Sequence, residues 1–120
     1  MVKSDRKILI VDDNHINRML IRTILESFGY SNTSEANDGE EAIKKVEENE
    51  YCLVFMDIQM PVINGIDATK YIREILKKKM PIMAITAYDN IEVEENGFNE
   101  LIRKPYNFEK IKSAVDRYIK

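Results

Sequence analysis

Short apolar runs alternate with amphipathic stretches along the whole chain, and this alternation restricts the fold more than any other feature. KILIV (7–11), YCLVFM (51–56) and PIMAI (81–85) are continuous apolar runs. Their length and β-branched content mark strands buried on both faces; a strand with one wet face would alternate apolar and polar residues. LIR (101–103), just before Pro105, is a shorter strand of the same kind, and the polar piece 31–36 reads as an edge strand. Between the runs, Ile16, Leu20, Ile24 and Phe28 recur every four residues with Ile21 and Leu25 beside them. They make one helix face, which Gly29 closes. In DGEEAIKKVEEN (38–49), Asp38 is placed to cap a second helix, with Glu41 as the partner reaching back. After an Asn64-Gly65 turn, Thr69, Ile72, Ile75 and Leu76 mark a third helix. Phe108, Ile111, Val115 and Tyr118 mark the last one, with Asn107 as its cap.

Strand followed by helix, repeated about five times, implies a parallel sheet with helices on both faces and right-handed crossovers. One segment fits poorly. AYDNIEVEENGFNE (87–100) has few apolar anchors, Asp89 and Asn90 disfavour helix interiors, and Gly97 stops a helix early. At most a short fourth helix of about two turns is expected there.

The bulk numbers exclude several function classes. At 120 residues the chain is expected to form a single domain, 1–120. Acidic residues outnumber basic ones, 21 to 18, so neither nucleic acid nor an anionic membrane is an expected partner. The one cysteine, Cys52, lies in an apolar run and reads as a small buried hydrophobe in a reducing compartment. No apolar run reaches the length of a membrane span, and MVKSDRK at the start is not a signal peptide. The expected location is cytoplasmic.

The residues that follow the apolar runs carry the chemistry. Asp12 and Asp13 follow KILIV, Asp57 follows CLVFM, Thr86 follows IMAI and Lys104 follows LIR. In a parallel sheet all carboxyl ends share one edge, and ligands bind in the crevice outside it. Three acids, a hydroxyl and an ammonium therefore converge on one rim. Crowded carboxylates repel and raise the pKa of at least one member. Lys104 balances part of that charge, and Mg²⁺, which prefers carboxylate, water and phosphate oxygens, would balance more. A lysine with Mg²⁺ points to a phosphoryl group, and an aspartate can itself be the nucleophile that takes it. Alone, Asp57 reads as an ordinary strand exit, and Asp12 and Asp13 as caps of the first helix. The joint pattern separates the readings.

VDDN (11–14), MDIQMPVING (56–65), AITA (84–87) and Lys104-Pro105 together resemble the receiver domain of two-component response regulators, over essentially the whole chain. The likeness is strongest to receivers of hybrid sensor kinases. The resemblance implies a flavodoxin-like, doubly wound α/β fold with five strands in the order 2-1-3-4-5, the fourth helix being short or irregular here. It implies that Asp57 accepts a phosphoryl group from the phosphohistidine of a sensor histidine kinase or histidine phosphotransfer protein. Asp12, Asp13, Asp57 and the backbone carbonyl of Gln59 would hold Mg²⁺. Lys104 would pair with the phosphoryl oxygens, Thr86 would turn its hydroxyl onto one of them, and the Lys104–Pro105 bond would be cis. Gln59 and Tyr88 would flank the phosphoryl group and tune its hydrolysis. The chain would be a switch acting on an output partner or attached domain, not a turnover enzyme.

Two departures from the family pattern stand out. Leu101 occupies a place that usually carries an aromatic, and the stretch from Thr86 to Lys104 is about one helical turn short. A weaker or differently shaped switch is expected. Two rivals remain. A haloacid-dehalogenase-type phosphatase would want a second acid two residues after its nucleophile, where this chain has Gln59. A receiver that only docks would not need all five rim residues. Elsewhere the plainer readings hold: His15 is a surface residue, Lys77 to Lys79 and Glu92, Glu94 and Glu95 are solvated, and Met56, Met60, Met80 and Met83 are packing.

Overall fold

The computed structural model describes residues 3–88 and 91–119. Each apolar run becomes a strand: β1 (Ile8–Val11), β3 (Leu53–Asp57), β4 (Ile82–Thr86) and β5 (Glu100–Arg103), with the polar edge strand β2 at Thr33–Ala36. They form one parallel sheet in the order β2-β1-β3-β4-β5. Every residue of β1, β3 and β4 is buried, because these central strands have helices over both faces.

The helices are α1 (His15–Ser27), α2 (Gly39–Glu48), α3 (Gly65–Glu74) and α4 (Phe108–Tyr118). Alternate strand residues feed two cores. Ile8, Ile10, Phe55, Met83 and Ile85 pack under α1 and α4 with Ile21, Leu25, Ile111 and Val115. Leu9, Val11, Val54, Met56, Ile82 and Ala84 pack under α2 and α3 with Val46, Ala68 and Ile72.

Local chemistry sets the helix ends. Asp38 caps α2 by accepting from the Glu41 N–H at 2.8 Å, while the Glu41 carboxylate reaches back to the Asn37 N–H at 3.0 Å. Asn107 caps α4 through the Lys110 N–H at 3.0 Å. α1 ends in a Schellman arrangement: Gly29 (φ 102°) donates to the Glu26 carbonyl and Tyr30 to that of Leu25. Asn64 and Gly65 are more than a turn, since Asn64 caps α3 at the Asp67 N–H and Gly65 is the first helical residue. A β-carbon on Gly65 would overlap the Asp57 carbonyl.

The expected stripe on α1 holds only in its second half. Ile21, Ile24 and Leu25 are buried, but Ile16 and Leu20 are about half exposed. Leu20 instead lines a cleft with Lys104, Pro105 and Tyr106. No helix forms among the described residues between β4 and β5; Val93–Gly97 make a turn, and Asp89 and Asn90 lie outside the described residues. That turn is fixed instead by Arg73 of α3. Its guanidinium donates to the carbonyls of Gly97 (2.9 Å) and Lys78 (3.0 Å) and to Asn99 Oδ1 (2.9 Å). Phe98, buried beside it, fills the α2/α3 side.

Candidate functional site

Parallel strands deliver their carboxyl ends to one edge, and the rim residues meet there. Asp12 follows β1, Asp57 is the last residue of β3, Thr86 the last of β4, and Lys104 follows β5. Carboxylate oxygens of Asp12, Asp13 and Asp57 lie within 4.8 Å of one another. Asp12, Asp57 and Thr86 are buried, whereas Asp13 is exposed. Lys104 Nζ lies 3.3 Å from Asp57 Oδ1 and 3.8 Å from Asp12 Oδ2.

Burial is the main force on the acids. It pushes the Asp57 carboxyl up to about 6; the charge of Asp12 adds to the rise, and Lys104 and a hydrogen bond from the Gln59 backbone oppose it. Burial also raises Asp12, against a bond from the Asn14 N–H and the charge of Lys104. Asp12 Oδ2 is buried without a hydrogen-bond partner. A buried, unsatisfied carboxylate oxygen beside two more carboxylates is a hard, anionic donor set that suits Mg²⁺.

Thr86 and Lys104 belong to one corner. Lys104 N–H donates to the Thr86 carbonyl at 2.8 Å, and the Lys104–Pro105 peptide is cis. Thr86 Oγ1 accepts from the Tyr88 N–H at 3.1 Å, which leaves the Tyr88 ring at the surface, 54% exposed. Gln59 is exposed two residues beyond Asp57. Leu101 is half-buried, stands opposite Ala84 in the sheet register and packs with the α2/α3 core away from the acids. His15 is exposed on the first turn of α1.

The structure adds residues that the sequence reading missed. Asn14, not Asp12 or Asp13, caps α1, accepting from Ile16 N–H (2.8 Å) and Asn17 N–H (3.3 Å). Its own N–H donates to Asp12 Oδ1 at 2.9 Å. Its place in VDDN, just before the first helical residue, was the available signal. Tyr106 is buried beside the site, and burial and the charges of Asp12 and Asp57 hold its phenol well above the usual tyrosine range. With Asn17, Leu20, Ala87, Lys104 and Pro105 it lines a cleft of about 430 Å³.

Residues 8–116 match the response regulator receiver domain family. The chain is 40% identical over 121 residues to the osmosensing histidine protein kinase SLN1 of Saccharomyces cerevisiae, covering 93% of this chain but 10% of that protein. It is 34% identical over 122 residues to the chemotaxis protein CheY-3 of Vibrio cholerae, covering 98% of this chain and 94% of that one. The crystal structure of the response regulator protein TrrA from Thermotoga maritima, in complex with Mg²⁺-BeF, superimposes with a TM-score of 0.85 at 34% identity, covering 95% of this chain and 99% of that chain. This chain therefore spans a small fraction of a large kinase relative and nearly all of a small regulator. With its parallel 2-1-3-4-5 sheet and its acids gathered at the carboxyl rim, the chain belongs to the response regulator receiver domain family.

Proposed function

We propose that this receiver takes a phosphoryl group on Asp57 from a phosphohistidine of a sensor histidine kinase or histidine phosphotransfer protein, and that the phosphorylated form controls a partner or an attached domain. The observation that carries this reading is the convergence of three carboxylates on Lys104, with one Asp12 oxygen buried and unsatisfied. Asp12, Asp13, Asp57 and the Gln59 carbonyl would hold Mg²⁺. When bound, the dication neutralises the carboxylates and the incoming phosphoryl oxygens, as the charge on both requires.

The protein's own residues do the rest. An Asp57 oxygen forms the new P–O bond as the donor's P–N bond breaks, and the imidazole leaves with the electron pair. Lys104, already 3.3 Å from Asp57, pairs with the transferred oxygens. Thr86 exchanges its bond from the Tyr88 N–H for one to a phosphoryl oxygen, and the connection after β4 moves with it. Leu20, which lines the cleft, and exposed Ile16 and Met19 on the same helix would give the donor an apolar surface to rest on. Gln59 and Tyr88 would limit water's approach to the acyl phosphate, so Tyr88→Ala should shorten its lifetime. Leu101 packs away from the acids and carries no ring, so a beryllofluoride complex should show no large rotation there.

Incubation with acetyl phosphate and Mg²⁺, read by intact mass, tests the reading. The wild type should gain one phosphoryl unit and Asp57→Asn none. An unchanged wild-type mass would refute phosphoryl acceptance. Sustained phosphate release from small phosphate esters would instead point to turnover.

A further inference from the structure

Asp12 is tied down at every polar backbone and side-chain atom except the orphaned Oδ2. Its N–H donates to the Ala36 carbonyl of β2 at 3.1 Å, and its Oδ1 accepts from the Asn14 N–H at 2.9 Å. Its carbonyl accepts from Arg18 Nη1 at 2.6 Å. Arg18 is itself held, because Nε donates to Glu35 Oε1 at 2.9 Å while Glu35 Oε2 takes Arg22 Nη1 at 2.7 Å. The Arg18 side chain is 16% exposed and that of Glu35 29%.

The Asp12 carbonyl belongs to the rigid peptide plane that joins Asp12 to Asp13. Fixing that plane fixes the start of Asp13 relative to the buried Asp12 carboxylate. Arg18 can do this because a planar guanidinium presents several donors in a set geometry, and it spans Glu35 on the sheet's edge strand and the Asp12 carbonyl at once. The Glu35 carboxylate offsets its charge, which leaves geometry as the contribution.

We infer that Arg18 is a positioning residue for the acidic rim: clamped to Glu35, it holds the peptide between Asp12 and Asp13 so that the two carboxylates converge on a divalent cation. This rests on the Mg²⁺ reading above. Positioning and simple charge make opposite forecasts. Removing a cation near an acidic site should tighten Mg²⁺ binding if charge is all that matters, and weaken it if position matters.

The test is a Mg²⁺ titration of the folded protein by calorimetry, with far-ultraviolet circular dichroism on each variant. Arg18→Ala should weaken Mg²⁺ binding by roughly tenfold, the scale typical of lost outer supports of metal ligands. Arg18→Lys keeps the charge but cannot span both acceptors, so it should fold and still bind Mg²⁺ less well. Arg22→Ala removes the other half of the Glu35 pair without touching Asp12 and should leave affinity unchanged. Equal or tighter binding by Arg18→Ala or Arg18→Lys overturns the inference, as does an equal loss in Arg22→Ala. A wild type that does not bind Mg²⁺ overturns the cation reading itself, a failure distinct from the others.

Discussion

Asp57 ends β3 with its side chain buried, so its ionised form is held at a disadvantage until something positive arrives. Its carboxyl, pushed up to about 6, lies above the ordinary aspartate value of about 4. A raised carboxyl pKa means that the folded state binds the proton more tightly than the unfolded one, so stability falls as pH rises from about 4 to about 6 and stays reduced above. Asp57→Asn should therefore be more stable than wild type at pH 8 in metal-free buffer, by roughly 1–3 kcal/mol, with the gain vanishing toward pH 4. Urea melts at the two pH values check this. Val62 offers a second case. It is 78% exposed and has φ 68°, a left-handed conformation that a β-branched side chain adopts at a cost. Val62→Gly should gain about 1 kcal/mol in urea unfolding, because little burial is lost and the strain goes. The five rim residues could be placed from the sequence since each lies within two residues of the end of an apolar run. Asn14 was legible too, as a cap residue just before the first helical position, and was passed over in favour of the acids; Tyr106 was not, because a buried phenol is set by what packs against it.

At the scale of elements, hydrophobic spacing located α1 but misjudged which of its turns are covered. Periodicity reports a face; coverage depends on what packs over it, and Ile16 and Leu20 are left about half exposed. The β4–β5 connection shows the same limit. Weak helix signals over 87–100 did mark a departure from helix, yet what replaced it was an arginine from α3, twenty-four residues from Gly97 in sequence. Arg73→Ala should cost about 2 kcal/mol, since charged hydrogen bonds to Gly97, Lys78 and Asn99 go together. Amide exchange should quicken first at Phe98 and Asn99. Uniform acceleration across β1 and β3 would contradict a local role. Gly65→Ala should also destabilise, by roughly 1–3 kcal/mol in thermal or urea melts, because the added carbon meets the Asp57 carbonyl and not a side chain that can rotate away.

Across the whole molecule, the rim couples fold to ligand. Mg²⁺ at about a hundred times its dissociation constant should add about 2.7 kcal/mol to stability, and Asp13→Asn should remove most of that gain while leaving the metal-free protein no less stable, since it relieves repulsion on Asp12. No shift in melting temperature on adding Mg²⁺ would contradict the proposed site. The strand–helix alternation and the residues that leave each buried strand were legible in the chain alone, because backbone hydrogen bonding and apolar burial are read locally, a few residues at a time. Parallel pairing then brought those exits to one edge. What surrounds them came from the folded arrangement: the Arg18–Glu35 clamp, the Arg73 brace and the orphaned Asp12 oxygen. The clamp and the brace depend on side chains from separate elements meeting within hydrogen-bond distance, and the orphaned oxygen on no donor reaching it; the spacing of residues along a chain carries no such information.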